Sequence, residues 1–192
     1  MNMHLNPTAI STARTYGSDK PSDEALTNWP LRSIVNDTKT RPFCGPTAVA
    51  AITRQPISIV KDAFRLARFG KRWIEFDRSP AIMGVTLAET YHVMNTFGFG
   101  GGWESFDRAP SLAAWLETRT GIARTHPVIV HVTGHLVAVR GYEFCDTFSK
   151  GLVVDADEAP GRRKKVKDVF VVTGRTPRAA HIPSKSGRMV EP

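Results

Sequence analysis

The feature that most constrains this chain is a change of hydrophobic period near residue 127. Before it, apolar residues recur at helical spacing; from Val128 onward they come in short β-branched runs. The spacing predicts helices from the Cys44-Gly45-Pro46 segment to about Thr53, over Ser58–Phe69, from Thr86 to about Phe97, and over Ser111–Glu117. It predicts strands over Val128–Val132, His135–Arg140, Glu143–Asp146, Leu152–Asp155 and Val166–Thr173. Helices first and an antiparallel meander second define an α+β chain with its helices on one face of a sheet.

Local signals mark the boundaries. Pro56 disfavours a helical residue before it, Gly70 suits a helix end, and Thr86-Leu87-Ala88-Glu89 fits a capping box. Ser111 suits an N-cap. Gly100-Gly101-Gly102 follows a helix and lacks a downstream Lys-Ser/Thr, so it is not a phosphate loop; it reads as a flexible or tightly turned segment. Trp73, Phe76, Phe99 and Trp103 fall in the loops over 71–85 and 98–110 and read as packing residues.

Composition narrows the class. With 192 residues, 41% of them hydrophobic, the chain suits one domain, placed at 29–173, after a polar arm over 1–28 and before a Pro- and Arg-rich tail over 174–192. The net charge is +8, and the segment from Gly161 to Pro192 holds nine lysines and arginines against Asp168 and Glu191. The basicity therefore belongs to the C-terminal end, which could contact a polyanion. No recognisable nucleic-acid reading motif or interleaved aromatic platform accompanies it. Apolar runs are too short for a membrane span and Met1–Leu5 lacks a signal-peptide pattern, so a cytoplasmic location without membrane contact is expected. The two cysteines make no disulfide framework.

Those cysteines differ in setting. Pro46 is placed for a first helical residue, so Cys44 lies at or just before a helix N-terminus, where free N–H groups and the dipole favour thiolate. A cysteine nucleophile needs a base with a pKa near neutrality. His4 and His181 fall in the end segments, His92 in a helix, His126 in a loop and His131 within a strand; His135 opens a strand directly after Gly134, where its side chain can face a cleft. The base needs a partner for its other ring nitrogen. A two-residue turn at Gly141-Tyr142 pairs Arg140 with Glu143 and sets Asp146 opposite Val137, one same-face step from His135. Asp155 is the reserve, one strand farther. The oxyanion donors expected are the Cys44 backbone N–H and a side chain among Asn36, Thr38 and Lys39. The histidine and cysteine spacings match no zinc pattern, and neither metal nor cofactor is expected.

Cys44-Gly45-Pro46-Thr47-Ala48 resembles the nucleophile motif of papain-like cysteine peptidases, in the branch of bacteriocin-processing (C39-like) peptidases. Gly134-His135-Leu136-Val137-Ala138-Val139 resembles that branch's histidine strand, and Asp146 stands where its orienting Asp or Asn would follow. The resemblance covers about residues 36 to 156, and Arg41-Pro42-Phe43-Cys44-Gly45-Pro46-Thr47-Ala48 is also similar to small phage-encoded proteins. It implies a helical half carrying the thiol packed against an antiparallel sheet carrying the histidine. It also implies hydrolysis of a peptide or amide bond in a protein or peptide substrate by a Cys44-His135-Asp146 triad, in a host cytoplasm or virion if the chain is phage-encoded. One departure stands out: the family's glutamine six residues before the cysteine is Thr38 here. The alternative is an inactive papain-like scaffold serving as a phage structural or binding protein.

Overall fold

A computed structural model describes residues 26–176 and 182–185. The arm expected over 1–28 lies outside the described residues except at 26–28, and the tail over 174–192 is described only at 174–176 and 182–185. The chain is α+β. Among the residues described from Trp29 onward, three helices come first: α1 (Cys44–Thr53), α2 (Ile57–Phe69) and, after a 3-10 turn at Lys71–Glu75, α3 (Leu87–Thr96). Then follow β1 (Phe99–Ser105), two short helices α4 (Leu112–Thr118) and α5 (Ile122–Thr125), and strands β2 (Val128–Val132), β3 (His135–Arg140) and β4 (Glu143–Cys145). The series closes with β5 (Val154–Asp155), a 3-10 turn at Ala156–Glu158 and β6 (Val166–Arg175). The sheet is antiparallel throughout, in the order β1-β6-β2-β3-β4-β5.

The expected meander is present only from β2 to β5. The chain then returns along the other side of β2, so that β6 lies between β2 and β1. The expectation of helices on one face is corrected as well. Ile129, Leu136, Ala138 and Phe170 pack under α1, α2 and α3, whereas Val128, Val130, Val137, Val139 and Val171 pack with Leu112 and Trp115 of α4 on the opposite face. Strands buried on both faces read as continuous apolar runs, which is why Val128–Val132 carries no clean alternation.

Helix α1 is the centre of the first core. Every residue from Gly45 to Thr53 is buried, a pattern suited to a helix surrounded by protein. Its small residues Ala48, Ala50 and Ala51 let it lie close on β3. Its two buried hydroxyls are satisfied locally, Thr47 Oγ1 donating to Phe43 O at 3.0 Å and Thr53 Oγ1 to Val49 O at 2.9 Å. Its C-terminal end is covered by the incoming chain: Trp29 Nε1 donates to Ile52 O at 2.7 Å, and the Arg54 and Arg175 guanidiniums stack on the Trp29 ring at 3.6 and 3.9 Å. The core also takes in Leu26 and Ile182, which lie beyond the 29–173 span.

The Thr86 capping box and the Ser111 N-cap form as the sequence predicts. The glycine run does not. Gly100–Gly102 belong to β1, an edge strand paired with β6 through a bulge between Gly100 and Gly101. Glycine's low strand preference hides the strand from a propensity reading. The pairing nevertheless requires glycine at one position, because a Cβ on Gly101 would stand 2.1 Å from Val171 O, whereas one on Gly102 would meet nothing within 4 Å. We predict that Gly101→Ala destabilises the protein by about 2–3 kcal/mol in urea denaturation, while Gly102→Ala stays near wild type.

Candidate functional site

Cys44 is the first residue of α1, behind an extended Phe43 at φ −85° and ψ 166°. The helix thus begins two residues earlier than Pro46 alone implies, and Pro46 still falls in the first turn, where no intrahelical donor is needed. The loop delivering Cys44 is fixed from α2. Asp37 accepts from the Ser58 N–H at 2.9 Å and from its hydroxyl at 2.6 Å, and Lys61, 7% exposed, donates to Thr40 Oγ1 at 2.8 Å and Thr38 Oγ1 at 3.3 Å.

His135 opens β3, with α1 packed against that strand. The hairpin has the register read from the sequence: Arg140 pairs with Glu143 and Ala138 with Cys145, with Gly141 at φ 52° in the turn. One residue past the ladder, Asp146 meets the imidazole, its Oδ2 lying 2.9 Å from His135 Nε2. Asp146 has no solvent exposure. Its Oδ1 accepts the Ser149 N–H at 2.7 Å, its own N–H donates to Ser149 Oγ at 3.1 Å, and its carbonyl accepts from Gly151 N–H at 2.8 Å. Asp155 is elsewhere: it pairs with Glu143 and caps the following 3-10 turn through Asp157 N–H at 2.8 Å.

With Nε2 engaged by Asp146, Nδ1 remains for Cys44, and the thiol and imidazole shift one another's ionisation. Burial pushes the Cys44 thiol up. The hydrogen bond from His135, the Leu136 N–H, the His135 charge and the Gly45 N–H outweigh it and hold the thiol below its ordinary 9.0. Burial pulls His135 down, but hydrogen bonds to Asp146 and Cys44 and the charges of both raise it from 6.5 to about 9. The two shifts have opposite sign, as a thiolate–imidazolium pair requires. Cys145 shows the contrast, since burial and the adjacent Asp146 charge push its thiol up to about 12. Neither cysteine is in a disulfide.

The pair opens on a hollow of about 300 Å³ walled by Pro42, Phe43 and Phe148, with Arg41 and Thr147 as its polar members. The Phe148 ring lies 4.9 Å from the His135 ring, centroid to centroid, and Lys164 Nζ stands 5.3 Å over Phe148. A second hollow of about 410 Å³ shares Arg41, Pro42 and Thr147 and reaches Asn36, Lys150 and Gly151.

Of the side chains expected as oxyanion donors, Asn36, Thr38 and Lys39, none borders the hollow at Cys44, and Asn36 borders the adjoining one. Asn36 is held in its own loop, donating to Thr40 O at 3.3 Å and accepting from the Thr38 N–H at 3.1 Å and hydroxyl at 2.8 Å. Both side chains are thus engaged in the turn that makes the loop. The Cys44 N–H, first in its helix, has no intrahelical acceptor.

Sequence reasoning did not single out Arg41, Phe43, Thr147, Phe148 or Ser149. Two of these left a readable mark: the count that pairs Arg140 with Glu143 sets Phe148 opposite His135, and Asp146-Thr147-Phe148-Ser149 has the spacing of a side-chain-to-backbone turn. Other histidines have other tasks: His126 Nδ1 lies 2.9 Å from Val172 O in the core, and His131 Nδ1 lies 2.7 Å from Asp168 Oδ2. Ser105 also joins Asp168, at 2.7 Å, but through the carboxylate and not the imidazole, so this trio gives the hydroxyl no base. Among the described residues no group of three or more His, Cys, Asp or Glu side chains could hold a metal ion, and no helix is long and apolar enough to cross a membrane.

No protein-family model matches the chain, and no curated protein matches it.

Iodoacetamide at graded pH is expected to label Cys44 with an onset below that of an ordinary thiol, leaving Cys145 unmodified while the protein is folded. Asp146→Asn removes the charge that supports imidazolium, so the Cys44 onset moves to higher pH. Mapping the alkylated peptide by mass spectrometry checks both.

Proposed function

We propose that this protein is a papain-like thiol hydrolase of the bacteriocin-processing type, cleaving a peptide or amide bond. One observation carries the reading: the relay from Cys44 through His135 to Asp146, with 2.9 Å between its last two members and an open hollow at its first. In this reading Cys44 Sγ attacks the acyl carbon, and the forming oxyanion is met by the Cys44 N–H. His135, as imidazolium, gives its Nδ1 proton to the departing amine as the C–N bond breaks, leaving a thioester on Cys44. Water then enters, His135 takes one of its protons, and hydroxide attack breaks the C–S bond and frees the acid and the thiolate. Asp146 keeps Nε2 engaged throughout, which fixes the ring orientation and supports its charge. An amine in place of water would give acyl transfer by the same steps.

A second reading, a papain-like scaffold that binds a partner without turnover, is favoured by one observation: Asn36 and Thr38 are hydrogen-bonded within their own loop and neither borders the hollow at Cys44. Removal of one oxyanion donor in a hydrolase costs about 10²–10³ in kcat, so weak turnover is compatible with the first reading and zero turnover with the second.

The test is turnover of a fluorogenic peptide-amide library and of p-nitrophenyl acetate, with mass detection of acyl-Cys44. Cys44→Ala and His135→Ala should each lower the rate by about 10³ or more. The rate should rise with pH through the lowered Cys44 ionisation and fall as His135 loses its proton through about 9, since the leaving group needs that proton. Alkylation by iodoacetamide has no such descending limb. Selective labelling of Cys44 with no acyl-enzyme and no product would establish the scaffold reading instead.

A further inference from the structure

The turn of the β3–β4 hairpin, at the opposite end from His135, borders a second concavity. It has a volume of about 470 Å³ and lies where α4, α5, the turn at Tyr142 and the 3-10 segment Ala156–Glu158 converge. Arg119, Arg124 and Arg162 line it, together with Tyr142 and the carboxylates Glu117 and Asp157. None of these residues borders the Cys44 hollow.

Arg119 is the unusual member. It is only 7% exposed, donates to the carbonyls of Leu116 and Gly141, and lies against the Trp115 ring at 5.2 Å. Its Nε has no partner, and no carboxylate forms an ion pair with it among the described residues. Backbone carbonyls explain where the guanidinium points but not what balances its charge. Burial depresses its pKa and the nearby Arg124 charge adds to that, with Tyr142 and Asp157 offsetting only part of it.

The neighbours do not neutralise it. Arg124 donates to Tyr142 Oη at 2.9 Å, a neutral partner. Arg162 donates to Ala156 O at 2.9 Å and reaches Asp157 at 3.3 Å, but the Asp157 side chain is 79% exposed and faces solvent. Glu117 is exposed and forms no ion pair with the three arginines. A buried cation without a counter-charge is costly, and guanidinium forks match the geometry of carboxylate and phosphate oxygens.

We infer that this concavity binds a small organic oxyanion, a phosphate monoester or a polycarboxylate, through Arg119, Arg124 and Arg162. The volume supports a ligand larger than a bare phosphate, since sites of about 300–1,000 Å³ hold whole small molecules. Tyr142 sits at the rim with an exposed ring, 5.6 Å from the Arg124 guanidinium carbon, where it can cover the body of such a ligand. The site is independent of chemistry at Cys44.

Calorimetric titration of the full chain at fixed ionic strength tests this, with adenosine monophosphate, citrate and inorganic phosphate as probes. Saturable one-to-one binding of the monophosphate or of citrate is expected, with whichever binds identifying the oxyanion, and inorganic phosphate binding more weakly. Arg124→Gln and Arg162→Gln, both at the surface, should each weaken it by about tenfold or more, Glu117→Gln should tighten it, and Cys44→Ala should leave it unchanged. The bound probe should also raise Tm as its concentration rises. Absence of saturable binding by the organic probes overturns the proposal. So does binding that persists in an Arg124→Gln/Arg162→Gln double variant with wild-type circular dichroism and Tm, or binding restricted to an oligonucleotide and abolished by salt in both wild type and double variant.

Discussion

The burial of α1 is the constraint from which the rest of the molecule follows. A helix with no exposed residue after its first must be covered on every side, and its covers are β3, α2, α3 and the incoming segment at Trp29. Its N-terminal residue alone emerges, half-buried, and that residue is Cys44. Docking α1 on β3 then leaves little freedom in where the thiol lands. It reaches the first residues of β3, where the Leu136 N–H and the His135 ring both lower its pKa.

The ionisation of the pair follows from that packing. Burial by itself would make Cys44 a poor acid and His135 a poor base, and for Cys145 nothing offsets it strongly. At Cys44 the penalty is overcome by groups that are backbone-fixed or strand-fixed, so the polarisation costs little reorganisation. Asp146 extends the same logic. Fully buried, it is held by Ser149 and Gly151 while its second oxygen faces His135.

The two faces of the sheet divide the molecule's chemistry. The helical face and the strand ends at His135 make the thiol cleft, with Phe43 and Phe148 exposed beside it. The other face, under α4, ends in an arginine-lined concavity beside the hairpin turn. One hairpin therefore borders both, His135 at its open end and Tyr142 at its closed end.

The sequence by itself determined the elements with strong local signals. Pro46 with its alanine run, the Thr86 capping box, the Ser111 cap and the β-branched runs after residue 127 each carry their own physical cause, so the α+β class and the Cys44, His135 and Asp146 candidates were legible. The hairpin register was also legible, because a two-residue turn sets it by counting, and it carries Asp146 and not Asp155 to the imidazole. Tertiary structure decided what depends on partners distant in the chain. Gly100–Gly102 became a strand only because β6 comes alongside, and α4 covers the second sheet face only because β6 returns beside β2. Asn36 and Thr38 had the right chemistry for an oxyanion donor, yet hydrogen bonds within their own loop engage both. Phe148, opposite His135 by the hairpin count, reaches its ring through the turn after Asp146, since the ladder itself ends at Ala138 and Cys145. Local propensity is written in neighbouring residues, whereas the competition for a polar side chain's few hydrogen bonds is settled only once the fold sets the partners side by side.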